Sequence, residues 1–487
     1  MFLPTPVIPL NTKFQPLSQF HRQMCAIFHP FLRTASSLCR IMCILWSNKI
    51  SMRRVLLISG TLLLAGCVTS PDNSSKAARL SPAPSPSAAS VDYAVPSGAG
   101  PDELALLAIR NNPSLAAARH RAARLAQKAP QVRSLPDPIL EVAAGSMAET
   151  AAGRTDAMAG VKQKLPFPGK RREEAAAAES EAAAASAEIA ALELRLTEQV
   201  HAAWWDLYLA HRTIALTRES RSVLEFVQQS VDARVIAGQA SQADQLRLSN
   251  ELFLVDSDLA DAEKLRVTAK ARLNSLLNRP AGASLPAPGQ GTTASPGSLQ
   301  ALLELSRQQH PEVAAAEQRA NAFRHRLKRA ELEKFPDLTL GITSAAIADS
   351  GLSPVADGRD QVYGTLGINI PLWQEPRRAM IREAREGMAE TQALIASTRA
   401  DLSYRVEEAW YRAATAREVA KLFETRLVPQ SKQAYEVTQT GYSSGTSNFN
   451  DLIDTWRQHL AYQLQLARNR AQIGKATASL RAAAGIQ

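Results

Sequence analysis

The chain repeats its own order of signals about halfway along, and a sequence that does so folds as two versions of one unit. Asn112-Pro113 returns as His310-Pro311, and Pro136-Asp137 returns as Pro336-Asp337 at an offset of 200. Leu165-Pro166 returns as Ile370-Pro371, Ala203-Trp204 as Ala409-Trp410, and Gly238 with Asp244 as Gly445 with Asp451, at offsets of 205, 206 and 207. The slow drift puts small insertions in loops and keeps the long elements in register. Each copy reads helix, strand, loop, strand, very long helix, turn, long helix. A period this long marks a duplicated half, not a solenoid of short repeats.

Two kinds of element carry the pattern. Val362, Leu366, Ile368 and Ile370 alternate with Tyr363, Thr365 and Asn369, as one face of a strand does. Residues 338–343 alternate as cleanly, and 137–145 and 157–165 do so more weakly. Period-two segments of this kind are the modest signature of a lipid-facing β-barrel. Four strands do not close a barrel, so this reading requires several copies of the chain. From about Gly169 to Ser230 there is no proline or internal glycine, and residues 372–436 match that stretch in the second copy. Leu192, Leu196, Val200, Ala203, Leu207, Ala210 and Ile214 step by three or four, a near-heptad seam. Some 60 helical residues extend roughly 90 Å, several times the width of a small domain.

Charge and cysteine divide the chain elsewhere. The net charge is +10, but residues 1–66 hold seven Lys/Arg and no acid, which leaves +3 for the rest. That balance argues against a nucleic-acid partner. Cys25, Cys39 and Cys43 lie early, and Cys67 is the last of the four cysteines. Met52-Arg53-Arg54 precedes an apolar run, Val55 to Leu64, too short for a permanent span and suited to a cleaved signal sequence. Leu64-Ala65-Gly66-Cys67 resembles the lipobox of bacterial lipoproteins, a resemblance that implies Cys67 as the lipidated N-terminus, against an ordinary signal peptide with a chance cysteine. Val68 in place of Asp implies delivery to the outer membrane. The expected organisation is a leader over 1–66 (1–51 upstream of the true start, 52–66 signal peptide) and a lipidated Ser/Pro/Ala-rich tether over 67–98. The repeats follow over 99–280 and 298–484, joined by a Pro/Gly-rich stretch.

Lipobox, duplicated helix–strand–strand–helix–helix order and two glycine-bearing turns together resemble the TolC family of outer-membrane efflux channels, over about residues 99–484. The resemblance implies a mainly α fold with a membrane β-barrel: a homotrimer of four strands per chain, closing a 12-stranded barrel on a long periplasmic α-barrel. Arg234-Val235-Ile236-Ala237-Gly238 looks like the family's Arg-aromatic-x-x-Gly turn, with Val235 departing from the aromatic. Gly441-Tyr442-Ser443-Ser444-Gly445-Thr446 looks like its Gly-Tyr-Ser-x-Gly-Thr counterpart. The family uses these turns as periplasmic tips, so Arg234, Gly238, Gly441 and Gly445 are expected to dock an adaptor protein. Tyr442 and Asp244 stand where the family places closure contacts, and Ser447 departs from its frequent Arg.

Leu165-Pro166-Phe167-Pro168-Gly169-Lys170-Arg171-Arg172 further resembles the heavy-metal efflux branch. Three cations in a helix's first turn oppose its dipole. With Arg377, Arg378 and the aromatics Phe167 and Trp373 they suit a lipid headgroup zone. A solvated charge run is the competing reading. Asp451 and Asp454 lie three apart on one helical face and become carboxylate rings in a trimer, which attract cations at a constriction. Helix-start capping is the competing reading there.

Gly441-Tyr442-Ser443-Ser444-Gly445 also satisfies the hydrolase nucleophile pattern, but that motif needs a strand before it and helix is expected. No Gly-rich phosphate loop follows a strand, so no enzyme activity and no cofactor are expected. Energy falls to a proton-driven inner-membrane pump of the RND type, working through a periplasmic adaptor. A lipid-anchored periplasmic coiled-coil scaffold without a pore is the rival from another class.

Overall fold

The structure, a computed structural model, describes residues 93–486 apart from 97, 146–148, 151–152, 290, 292–296 and 350–357. The leader, Cys67 and most of the tether lie outside the described residues. The first repeat runs α1 (Pro101–Asn111), α2 (Pro113–Ala126), α3 (Lys128–Arg133), β1 (Ile139–Ala144), β2 (Glu149–Thr150), β3 (Gly153–Leu165), α4 (Lys170–Ile236) and α5 (Gln242–Leu276). The second runs α6 (Leu299–Gln309), α7 (Pro311–Leu332), β4 (Leu338–Ala348), β5 (Gln361–Ile368), α8 (Gln374–Leu422), α9 (Val428–Ser444) and α10 (Phe449–Ala484).

Asn112 and His310 mark equivalent breaks for one reason. A proline follows each at the first helical position, where its missing N–H costs nothing. The Asn112 side chain accepts from the Ser114 and Leu115 amides, and His310 Nδ1 accepts from the Glu312 amide. Helix α4 has 67 residues, roughly 100 Å of uninterrupted helix. Its partner in the second repeat continues from Gln374 to Ser444 but contains a π-turn over Phe423–Leu427. Pro429 lies just beyond. It has no amide to bond the preceding turn, and the wider π ring absorbs the register change without ending the helix.

The sheet order is β1-β3-β4-β5, all antiparallel, with the short β2 pairing β3. Sequence alternation located the four main strands and missed β2, whose two residues are too few to show a period. Ile370 falls outside β5: the Asn369 amide still bonds the Asp337 carbonyl at 3.3 Å, but the Asp337 amide is taken by the Asn369 side chain and not by its carbonyl. Paired residues share a face, so the register sorts the side chains. Leu140, Val142, Val161, Leu340, Ile342 and Leu366 stand together on one side, all exposed. The other side carries Thr339, Thr343, Tyr363, Thr365 and a Glu141–Lys162 ion pair at 2.6 Å. One face is therefore apolar and open, the other polar. Both edges, β1 and β5, lack a neighbour among the described residues.

Below the sheet the helices pack through small residues. Ala175, Ala177, Ala178, Ala184 and Ala185 are buried along α4, which packs against α7. The expected seam is buried from Leu196 to Ile214, with Leu192 half-buried at its top. Among the described residues no helix is long and apolar enough to cross a membrane.

Candidate channel tips and membrane edge

At the strand–helix junction the three cations of the first repeat separate. Lys170 is buried. Its Nζ lies 2.9 Å from Asp337 Oδ1 and 3.2 Å from Glu333 Oε2, and it donates to the Phe335 carbonyl at 3.1 Å. Asp337 also accepts the Phe167 amide at 2.9 Å. Lys170 thus ties the first repeat to the second and does not face headgroups, contrary to the expectation from its sequence position. The helix dipole that disfavours a cation there is offset by two carboxylates, the half-buried Glu333 and the buried Asp337, that come from 163 and 167 residues away. Arg171 donates to the Arg133 carbonyl at 2.8 Å, while Arg172 is exposed beside Glu173. Arg377 donates to the Glu333 carbonyl at 3.0 Å, and Arg378 is exposed. Phe167 stacks on Phe335 at 4.4 Å between centroids, and Trp373 is exposed. Arg172, Arg378 and Trp373 are the outward members of the set.

The two tips share one backbone. After α4 the Gly238 amide bonds the Val235 carbonyl at 3.0 Å and the Gln239 amide bonds the Arg234 carbonyl at 2.8 Å. After α9 the Gly445 amide bonds the Tyr442 carbonyl at 3.1 Å and the Thr446 amide bonds the Gly441 carbonyl at 2.7 Å. This is the Schellman end, and it places the residue after the cap in the left-handed region, where Gly238 has φ +69° and Gly445 φ +81°. Gly441 is different: it sits inside α9, and a Cβ there would lie 2.3 Å from Ser447 Oγ. Its role is close approach, not turning.

Side chains then diverge. Arg234 reaches across to the other tip, donating to the Tyr442 carbonyl with its guanidinium 4.6 Å from the Tyr442 ring centroid. The Tyr442 ring is buried against Phe449, and its hydroxyl has no hydrogen-bond partner among the described residues. Burial pushes that phenol up, with Asp244 adding to the rise and Arg234 opposing it. Asp244 does not bond Tyr442. It closes a capping box with Ser241, accepting the Ser241 amide at 3.3 Å while Ser241 Oγ accepts the Asp244 amide at 3.2 Å. The expected Tyr442 and Asp244 closure contacts therefore do not meet each other within the chain.

Asp451 is the counterpart of Asp244, but Asn448 caps α10, accepting the Asp451 amide at 2.8 Å. The Asp451 carboxylate is exposed and makes no ion pair among the described residues. Asp454 is exposed, 3.6 Å from Arg457, which is itself held by Glu251. Sequence reasoning missed the Arg457–Glu251 and Arg247–Asn450 contacts, which join α5 to α10 across the repeats. The nucleophile-like motif lies at the end of a helix, and Ser443 Oγ bonds the Gln439 and Thr440 carbonyls. Among the described residues no three His, Cys, Asp or Glu side chains are placed to hold a metal ion.

Comparison with known proteins agrees with this geometry. The cobalt-zinc-cadmium resistance protein CzcC of Cupriavidus metallidurans is 22% identical over 327 residues, 67% of this chain and 76% of that protein. The solved structure of CusC superposes with a TM-score of 0.67 at 16% identity, covering 82% of this chain and 99% of that one. The outer membrane protein VceC of Vibrio cholerae gives 0.67 at 19% identity, covering 79% and 96%. The family model described as outer membrane efflux protein matches residues 104–279 and 302–486, the two repeats in turn, and the chain belongs to that family.

Proposed function

We propose that this outer-membrane efflux channel works as a homotrimer, the passive exit duct of a tripartite system. A periplasmic adaptor docks on the tips around Arg234, Gly238, Gly441 and Gly445, and a proton-driven inner-membrane pump loads the duct. Metal cations are the proposed cargo, in line with the resistance function in the name of CzcC. Cys67 is the proposed lipid anchor. The observation that carries the reading is the sheet: one exposed apolar face, one polar face and two free edges, directly above helices of roughly 100 Å. Free edges in lipid leave backbone groups unsatisfied, and only closure with further copies removes them. Purified trimers added to planar bilayers are expected to give discrete single-channel steps. A protein without conductance, soluble once Cys67→Ser removes its anchor, would instead be the pore-free scaffold.

A further inference from the structure

Between α4, α9 and α10, past the π-turn toward the tips, lies a cavity of about 200 Å³. Its wall holds two hydroxyls without a partner. Ser220 is 7% exposed, and its Oγ is buried with no hydrogen-bond partner among the described residues. The Tyr435 hydroxyl is buried and unpartnered in the same way. A buried polar group left unpaired costs about 1–3 kcal/mol, so two of them lining one cavity point to something that fills it. A second cavity, beside His310, has its polar groups engaged: His310 with the Ala482 carbonyl, Ser479 with Glu198 and Arg405 with Glu312. Only the first cavity leaves such groups waiting.

The rest of its wall defines what kind of molecule fits. Val223, Trp456 and Leu460 supply apolar surface, and the Tyr435 ring lies parallel to the His459 ring at 6.5 Å between centroids. An engineered cavity of roughly 150 Å³ holds a benzene molecule, so this one has room for a ring and a short arm. Charge at the mouth is net negative. Lys432 pairs with Glu436 at 3.8 Å, whereas Glu219 makes no ion pair among the described residues. His459 adds no positive charge at neutral pH, because burial and then Lys432 hold its imidazole below the usual value, against Glu219 and Glu436. Burial, with Glu436 adding, pushes the Tyr435 phenol up, so it keeps its proton. A metal ion is a poor fit, since among the described residues no three His, Cys, Asp or Glu side chains are placed to hold one. The wall offers π faces, apolar contact and one carboxylate in need of a cation.

We propose that this cavity binds a small aromatic ammonium, its ring among Tyr435, Trp456 and Leu460 and its charge toward Glu219. A cation gains from π faces and from a carboxylate alike. Its N–H groups meet the two unpartnered hydroxyls as acceptors. The occupant touches α4, which carries Arg234, and α9, which carries Tyr442. It therefore favours the arrangement in which these helices lie together, and braces the contact between the tips. Binding itself stands apart from the reading of the chain as a channel.

Calorimetry of benzylamine, cationic at neutral pH, with the full-length protein in detergent tests it. Saturable binding at a single site per chain is expected, with benzyl alcohol, the neutral analogue, about tenfold weaker. Glu219→Gln, at an exposed position, is expected to weaken benzylamine about tenfold, and Tyr435→Phe, which keeps the ring, about fivefold. Replacing Asp451 and Asp454 with Ala is expected to leave the affinity unchanged. An absence of saturable heat means that the cavity holds water only, and overturns the proposal. Equal affinity for amine and alcohol, or an affinity that neither variant lowers, overturns it as well. Loss of binding in the Asp451 and Asp454 variant moves the amine to the tip acids, with the same consequence.

Discussion

At the first tip Asp244 folds back onto its own helix start, whereas at the second Asp451 leaves its carboxylate in the open. The backbones are the same: a Schellman end, a left-handed glycine, and an aspartate three residues after the cap. The cap residue makes the difference. Ser241 forms a reciprocal box with Asp244. Asn448 caps α10, but no return bond from the Asp451 carboxylate closes a box there. The tips also divide the proposed latch between them, since Arg234 belongs to the first and Tyr442, which it grips, to the second. Equal backbones thus carry unequal work: the first tip holds, and the second presents charge.

The largest expected effect breaks the holding half. Arg234→Ala removes a charged donor from the Tyr442 carbonyl and a cation from its ring, a loss of about 1.5–3 kcal/mol. That shifts a closed–open balance by roughly ten- to a hundredfold, and resting conductance in planar bilayers should rise accordingly. Arg234→Lys should not restore closure, because a point-like ammonium lacks the planar fork. Unchanged conductance in both variants would place the latch elsewhere.

Next comes the presenting half. Replacing Asp451 and Asp454 together with Ala should weaken block by a trivalent cation added from the periplasmic side by about tenfold, as expected for the loss of two acid rings. Thermal stability should hold, because Asn448 and not Asp451 supplies the cap. An unchanged block with lowered stability would reverse the assignment. A smaller effect sharpens the contrast between the aspartates. Asp244→Ala loses half of a capping box and should cost about 0.5–1 kcal/mol, while Asp451→Ala should cost nothing measurable in the same unfolding assay.

What the sequence displayed and what it concealed follow from the reach of each interaction. Helix lengths, the seam from Leu196 to Ile214 and the four main strands are periodic, and periodicity is local. Gly238 and Gly445 were legible because a left-handed backbone selects glycine within four residues of its helix end. The partners of Lys170 were not legible. Asp337 and Glu333 reach it only through the pairing of β3 with β4, so a cation run that reads as surface becomes partly core. Arg234 reaching Tyr442 is equally remote in sequence.

The smallest expected effect concerns the other place where the repeats perform one task with different residues. Asn112 and His310 both cap a helix that begins with proline, but only His310 can gain a proton. Its Nε2–H donates to the Ala482 carbonyl at 3.1 Å, which leaves Nδ1 as the acceptor for the Glu312 amide. Burial holds the imidazole below its usual pKa, Arg405 and Arg195 acting in the same sense against Glu312 and the Ala482 carbonyl. A histidine depressed in the folded state contributes stability that is complete above its unfolded pKa of about 6.5 and is lost as pH falls through the folded value. Protonation also removes the acceptor that caps α7. His310→Asn copies the first repeat's solution, keeps a cap and removes the titration. Stability of the variant should therefore match the parent at pH 7.5 and exceed it at pH 5, by about 2 °C in Tm. His201 and His459 are also depressed by burial, so part of the acid sensitivity should remain. Parallel Tm–pH curves for variant and parent would mean that His310 stays neutral over this range and caps α7 as Asn112 caps α2.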